Sequence, residues 1–288
     1  MTQQQAPGAR GTTAASRVPR TQSRWAGYVP ARIFGPVQLA GGFVSLGGRV
    51  VGSAIRRPTG YWGAVRDETY AVLRASWFPV CLAVFTFGLM IGILGLNFAS
   101  LLGASNLYGQ YFFIVNVRDF TPWINSMVVA GIIGSAFCAD LGARKVREEL
   151  DALEVLGVDP IRELVLPRIV SITLLTPLLM VMSLLIGVLC ALVSTVTYAD
   201  VPAAEYFNTV YNNLAVVELV VAVIKSTVIG FVIGIICAHL GLTTVGGSAG
   251  VGRAVNQAVV IGFALVFVVD LVINLIALGL YPEMQTVR

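Results

Sequence analysis

Charge-free stretches long enough to cross a bilayer recur along the chain. Ala75–Val117, Phe120–Ala139, Ile169–Ala199, Ser226–Gly252 and Ala254–Val269 contain no Asp, Glu, Lys or Arg, and a membrane-spanning helix needs about 20 apolar residues. The pattern predicts spans over approximately Trp77–Leu102, Trp123–Ala139, Ile169–Tyr198, Val216–Ala238 and Gln257–Tyr281. Upstream, Val37–Ile55 is weakly apolar and glycine-rich, and Arg56, Arg57, Pro58 and Gly60 interrupt it before Tyr61–Trp77. Flanked by Arg and aromatic residues and without a full uncharged span, this region predicts helices lying at the cytoplasmic interface. Residues 1–35, rich in Gln, Ala, Arg, Thr and Ser and lacking an early apolar segment, read as a disordered cytoplasmic tail rather than a signal peptide. The expected organisation is therefore tail 1–35, interfacial helices 36–76 and a five-span domain 77–282.

The polar pattern breaks this order at one place. Asp140–Arg168 holds 12 of the chain's 34 Asp, Glu, Lys and Arg residues in 29 positions, so it belongs outside the hydrocarbon. Val146, Leu150, Leu153 and Leu156 recur at helical spacing with charges between them, which predicts one amphipathic helix over about 143–156, ended by Gly157. Such a helix suits insertion into a groove on a soluble partner, and suits equally a solvated loop packed on its own membrane domain. Within it, the acidic Glu148, Glu149, Asp151 and Glu154, together with Arg147, are candidates for recognising the partner, and Leu150 and Leu153 for anchoring it.

Composition agrees with a lipid environment: 57% of the 288 residues are hydrophobic and 12% charged, with a mean hydropathy of +0.83. The fold class is an all-α integral membrane protein. Basic residues sort by side, which sets orientation. Arg10, Arg17, Arg20, Arg24, Arg32, Arg49, Arg56, Arg57, Arg66 and Arg74 precede the first span, while Arg144, Lys145, Arg147, Arg162, Arg168 and Arg253 fall in the even-numbered loops. The other side has Arg118 and Arg288. This predicts a cytoplasmic N-terminus, an outside C-terminus and a plasma (inner) membrane location. It also accounts for the basic balance without nucleic-acid binding.

Ionisable residues inside predicted spans are functional candidates by default. Glu218 and Lys225, seven apart on one face of the fourth span, could meet through water or each find a partner across a cavity or dimer interface. Asp270 with Asn274 one turn later could line a path or join helices. A structural ion pair is the plainer alternative for each. On the outer side, Asp200, Glu205, Asn208, Asn212 and Asn213 with Tyr206, Phe207 and Tyr211 read as a polar loop.

Catalytic machinery is not visible. His239 has no second His or Cys in range for a metal or triad, and Cys81, Cys138, Cys190 and Cys237 read as small apolar fillers. Gly246–Gly252 lacks the Lys-Ser/Thr of a phosphate loop and reads as a tight turn opening the fifth span.

Two runs carry a resemblance: GSAFCADLGARKVREELDALEVLGVDPIRELVLPR over Gly134–Arg168 and KSTVIGFVIGIICAHLGLTTVGGSAGVGRAVNQAVV over Lys225–Val260. Both resemble the signature blocks of the MlaE/YrbE permease family, most closely the actinobacterial YrbE proteins of Mce loci, over about Val37 to Tyr281. The resemblance implies a non-catalytic permease subunit of a lipid ABC transporter and a second permease subunit, with pairing of two different ones favoured. It also implies a separate cytoplasmic ATPase using ATP and Mg, and MCE-domain proteins on the outer side. It makes residues 143–156 a coupling helix and the cargo a lipid, fatty acid or sterol. An ion-coupled secondary transporter or scramblase using Glu218, Lys225 and Asp270, and a structural membrane anchor of an envelope complex, are the alternatives.

Overall fold

A computed structural model describes residues 31–56, 60–103, 108–198, 202–213 and 216–281. Most of the tail, Arg57, Pro58, Asp200 and Arg288 lie outside the described residues, as do the side chains of Asn212 and Asn213. Two contact units emerge, Met1–Gly41 and Gly42–Arg288. Of the first, only the opening turns of α1 (Ala31–Arg56) are described. The second holds the rest of α1 and every later helix.

All regular structure among the described residues is helical. After α1 come α2 (Trp62–Leu101), α3 (Tyr108–Val115), α4 (Thr121–Val128), α5 (Ser135–Val146), α6 (Glu149–Val155), α7 (Leu166–Tyr198), α8 (Ala203–Asn213), α9 (Val216–Leu242) and α10 (Gly247–Leu280). Short π-helical turns at Asn116–Phe120, Val129–Gly134 and Ile161–Val165 join α3 to α4, α4 to α5 and the α6 connection to α7. Among the described residues, five helical paths are long and apolar enough to cross a membrane: Trp62–Leu101, Phe112–Val146, Ile161–Tyr198, Val216–Leu242 and Gly247–Leu280. The all-α membrane architecture expected from the sequence is therefore present.

The interfacial segment Tyr61–Ser76 and the first span form one unbroken helix. α2 has 40 residues, about 60 Å at 1.5 Å per residue and roughly twice the hydrocarbon thickness. In its turn-by-turn seam Val80, Val84, Gly88, Gly92 and Leu96 are buried at four-residue intervals, facing α7. α10 repeats the device with Gly250, Ala254, Ala258, Gly262 and Val266 against α5 and α9. Small residues let helix backbones approach closely where no hydrophobic effect drives them together. One such close approach joins α7 to α9. A β-carbon at Gly230 would stand 2.6 Å from Thr176 Oγ1 and 3.1 Å from the Ile172 carbonyl, so only glycine fits there.

The stretch expected as an outer polar loop contains α8. Tyr206 turns inward, is 1% exposed and packs with Leu96, Phe112 and Ala191, while its hydroxyl donates to the Val188 carbonyl at 3.1 Å. Phe207 and Tyr211 stay exposed. His239 likewise has a packing role: its ring meets Phe43 edge-on, centroids 5.2 Å apart, over the bare backbone of Gly42.

Candidate functional site

Six polar residues from three elements converge between the spans. Arg118 and Asp119 come from the first π turn, Glu218 and Lys225 from α9, Asp270 and Asn274 from α10. Arg118 Nη2 lies 2.6 Å from Glu218 Oε1. Lys225 Nζ donates to the Arg118 carbonyl at 2.8 Å and lies 2.9 Å from Asp270 Oδ1, an ion pair without hydrogen-bond alignment at that oxygen. Asn274 Nδ2 donates to Asp119 Oδ1 at 2.7 Å and to Asp270 Oδ2 at 3.2 Å, holding two carboxylates with one amide. Lys225 is fully buried and the Glu218 side chain is 5% exposed.

Local covalent chemistry explains why this turn receives the lysine. Pro122 follows the π turn and has no N–H to offer the carbonyl four residues back, that of Arg118. Lys225 supplies the donor instead. Opposite, Gly187 of α7 leaves room for the polar pair Asn116 and Thr121: a β-carbon there would lie 2.8 Å from Asn116 Nδ2 and 2.9 Å from Thr121 Oγ1. Irregular helix at membrane depth is tolerated when the freed backbone groups find internal partners, and π turns often occur at functional sites.

Glu218 and Lys225 share a helix face but do not pair with each other: one reaches Arg118, the other Asp270. Asp270 and Asn274 do meet, in keeping with their spacing. Arg118 and Asp119, which the charge pattern places in an outer loop, belong to the second apolar helical path instead. The signal that would have found them is Pro122 beside a charged pair, a mark of a distorted helix with a free carbonyl. If all five ionisable groups are charged, the three carboxylates exceed the two cations. Glu218 Oε2 is buried with no hydrogen-bond partner among the described residues.

The charged segment 140–168 forms the second candidate. The single helix expected over 143–156 is divided. α5 stops at Val146, Glu148 takes a left-handed conformation (φ 60°), and α6 restarts at Glu149. No residue of Arg147–Glu148 is itself a helix breaker, so packing decides. Leu150 is 4% exposed, buried against its own chain, and Leu153 is half-buried. Ion pairs staple the break: Lys145–Asp151 at 2.7 Å, Arg147–Glu149 at 2.7 Å and Arg144–Glu149 at 3.8 Å. The Arg147 hydrogen bond holds the Glu149 carboxyl below its usual pKa. α6 ends in a paired cap, with Val158 N–H donating to Leu153 and Gly157 N–H to Glu154 across a left-handed Gly157. What the segment offers outward is Glu148, Glu154, Val155 and Leu156, the last two 89% and 76% exposed. Periodicity does not single out Val155, which lies off the apolar stripe.

Similarity to known proteins extends over both candidates. The family described as Permease MlaE matches residues 65–276. The chain belongs to the MlaE permease family. Among its relatives, "Protein TRIGALACTOSYLDIACYLGLYCEROL 1, chloroplastic" of Arabidopsis thaliana is 36% identical over 197 residues, 68% of this chain and 56% of that protein. A "Probable ABC transporter permease protein" of Synechocystis sp. is 36% identical over 166 residues, 58% of this chain and 63% of that one. Another so named, from Rickettsia prowazekii, is 27% identical over 233 residues, 81% of this chain and 90% of its own. The chain thus covers less than two thirds of the first two relatives. The MlaE match contains the whole ionic network, Arg118 to Asn274, and the whole of 140–168, while α1 precedes it.

Proposed function

We propose that this chain is the membrane-embedded, non-catalytic permease subunit of an ATP-driven lipid transporter. The observation that carries the reading is the family match, which takes in both the buried ionic network and the projecting α6 segment. The network is the polar element of the translocation path, and the α6 segment is where a cytoplasmic ABC ATPase docks. That partner hydrolyses ATP with Mg. The names of the relatives, ABC transporter permeases and a protein named for a galactolipid, support this assignment.

In this reading the subunit works beside a second permease subunit, a different one by its YrbE likeness, with MCE-domain proteins on the outer side of the inner membrane. Its N-terminus is cytoplasmic and its C-terminus outside. The exposed face of α10, with Phe267, Val268, Leu271 and Leu275, supplies apolar area for acyl chains or the second subunit. The buried, unpartnered Glu218 Oε2 gives the path a polar group with spare bonding capacity. The acidic residues of the docking segment act unequally. Glu149 and Asp151 hold the α5–α6 turn together, whereas Glu154, Val155 and Leu156 meet the ATPase.

Gentle-detergent purification of the tagged chain tests the docking site. Wild type should bring down an ABC ATPase, identified by mass spectrometry. Val155→Ser/Leu156→Ser should lose the ATPase while keeping the other envelope partners. Retention of the ATPase by that variant, or no ATPase with wild type, contradicts the assignment.

A further inference from the structure

Arg168, in the first turn of α7, joins three helices at one guanidinium. Its Nε lies 3.1 Å from Glu68 Oε1 on α2, Nη1 pairs with Asp140 on α5, and the group sits over the Phe137 ring of α5, 5.7 Å from its centroid. The side chain is 18% exposed, so these pairs are partly shielded from solvent and screened less by salt than surface pairs. Asp140 also accepts from Arg144 at 3.0 Å, and Arg144 reaches Glu149 at the head of α6. A continuous chain of charges therefore runs from the projecting segment, through α5, to the long helix α2.

Alongside this joint α2 and α5 stand apart. A cavity of about 250 Å³ separates them, lined by Val72, Ala75, Ile132, Ile133, Ala136 and Ile172. The bridge at the charged rim of this gap is Glu68–Arg168–Asp140. Next to the bridge, Thr69 and Ser171 hydroxyls lie 2.9 Å apart, joining α2 to α7 a second time. Glu68 and the membrane-crossing part of α2 belong to one helix, Trp62–Leu101, with Pro79 inside it.

We propose that Arg168 is the positioning residue that transmits movement of the α6 segment to α2. The inference rests on the permease reading above. When α6 is displaced, Glu149 and Arg144 pull on Asp140, and the shared guanidinium passes the displacement to Glu68, opening or closing the α2–α5 gap. Distant sites are coupled where both bias one element between two arrangements, and the Glu68–Arg168–Asp140 joint is that element here.

The test uses the complex purified with its co-purifying ATPase, reconstituted in phosphatidylcholine/phosphatidylglycerol vesicles carrying a trace of NBD-labelled phosphatidylethanolamine. Lipid moved per ATP hydrolysed is compared between wild type, Arg168→Gln, Arg168→Lys, Glu68→Gln and Glu68→Gln/Arg168→Gln. Arg168→Gln should retain the ATPase and its hydrolysis rate but move about tenfold less lipid per ATP, a size usual for coupling between sites. Arg168→Lys should recover part of the loss, and Glu68→Gln/Arg168→Gln should be no worse than Arg168→Gln alone. Should Arg168→Gln not fold, Glu68→Gln, at a partly exposed rim position, decides by the same ratio. A wild-type ratio in the folded variants overturns the joint and leaves the permease reading standing. Wild-type lipid movement that ignores ATP overturns the permease reading itself.

Discussion

Lys225 Nζ lies 2.9 Å from Asp270 Oδ1 and 2.8 Å from the main-chain oxygen of Arg118, so one fully buried ammonium ties α9 both to α10 and to the π turn of the second span. Removing one member of such a pair leaves an uncompensated buried charge, which costs about 3–5 kcal/mol. Lys225→Met should therefore lower unfolding free energy by about that amount in an SDS titration in mixed micelles. Lys225→Met/Asp270→Asn should recover most of it, because the amide that replaces the Asp270 carboxylate leaves no charge stranded.

Pro122 leaves the Arg118 carbonyl open to Lys225. Pro122→Ala restores a backbone donor that competes for that oxygen and draws the π turn toward regular α-helix. Although Pro→Ala ordinarily favours a helix, here it should destabilise the protein by about 1.5–3 kcal/mol, the scale of a hydrogen bond from a charged donor. The same SDS titration measures it, and an unchanged or raised stability would contradict the role given to Pro122.

Two glycines should respond in opposite ways. Gly230→Val forces α9 away from Thr176 and the Ile172 carbonyl and should cost about 1–3 kcal/mol, the usual penalty of overpacking. Gly252, helical and exposed in α10 with nothing near its β position, should accept Ala with a gain of up to about 1 kcal/mol. Thermal unfolding in detergent separates the two.

The five spans were legible because lipid leaves few ways to satisfy a backbone: long uncharged runs must be helices. Interruptions within the helices were less legible. Arg118 and Asp119 sit in a π turn within a helical path, whereas a reading by charge assigns both to a loop. The break at Glu148 escaped for a related reason. Val146 and Leu150 keep helical spacing across it, and Arg-Glu-Glu favours helix, so nothing local announces a left-handed residue. α8 was hidden by its polarity, since only Tyr206 among its aromatics turns fully inward. Of the network, Glu218, Lys225, Asp270 and Asn274 were visible as charges or amides in apolar helices. Their partners were not, because pairing across helices depends on register that one sequence does not display.

ATP-driven lipid movement is the function proposed for this chain. Its most direct measurement is transfer of NBD-labelled phosphatidylethanolamine by the purified complex in sealed vesicles, with ATP, with a non-hydrolysable analogue, and with ionophores that abolish ion gradients. Movement should require hydrolysable ATP and be indifferent to the ionophores. Movement that proceeds without ATP and follows an imposed ion gradient would contradict it, and would turn the Lys225–Asp270 network into an ion relay.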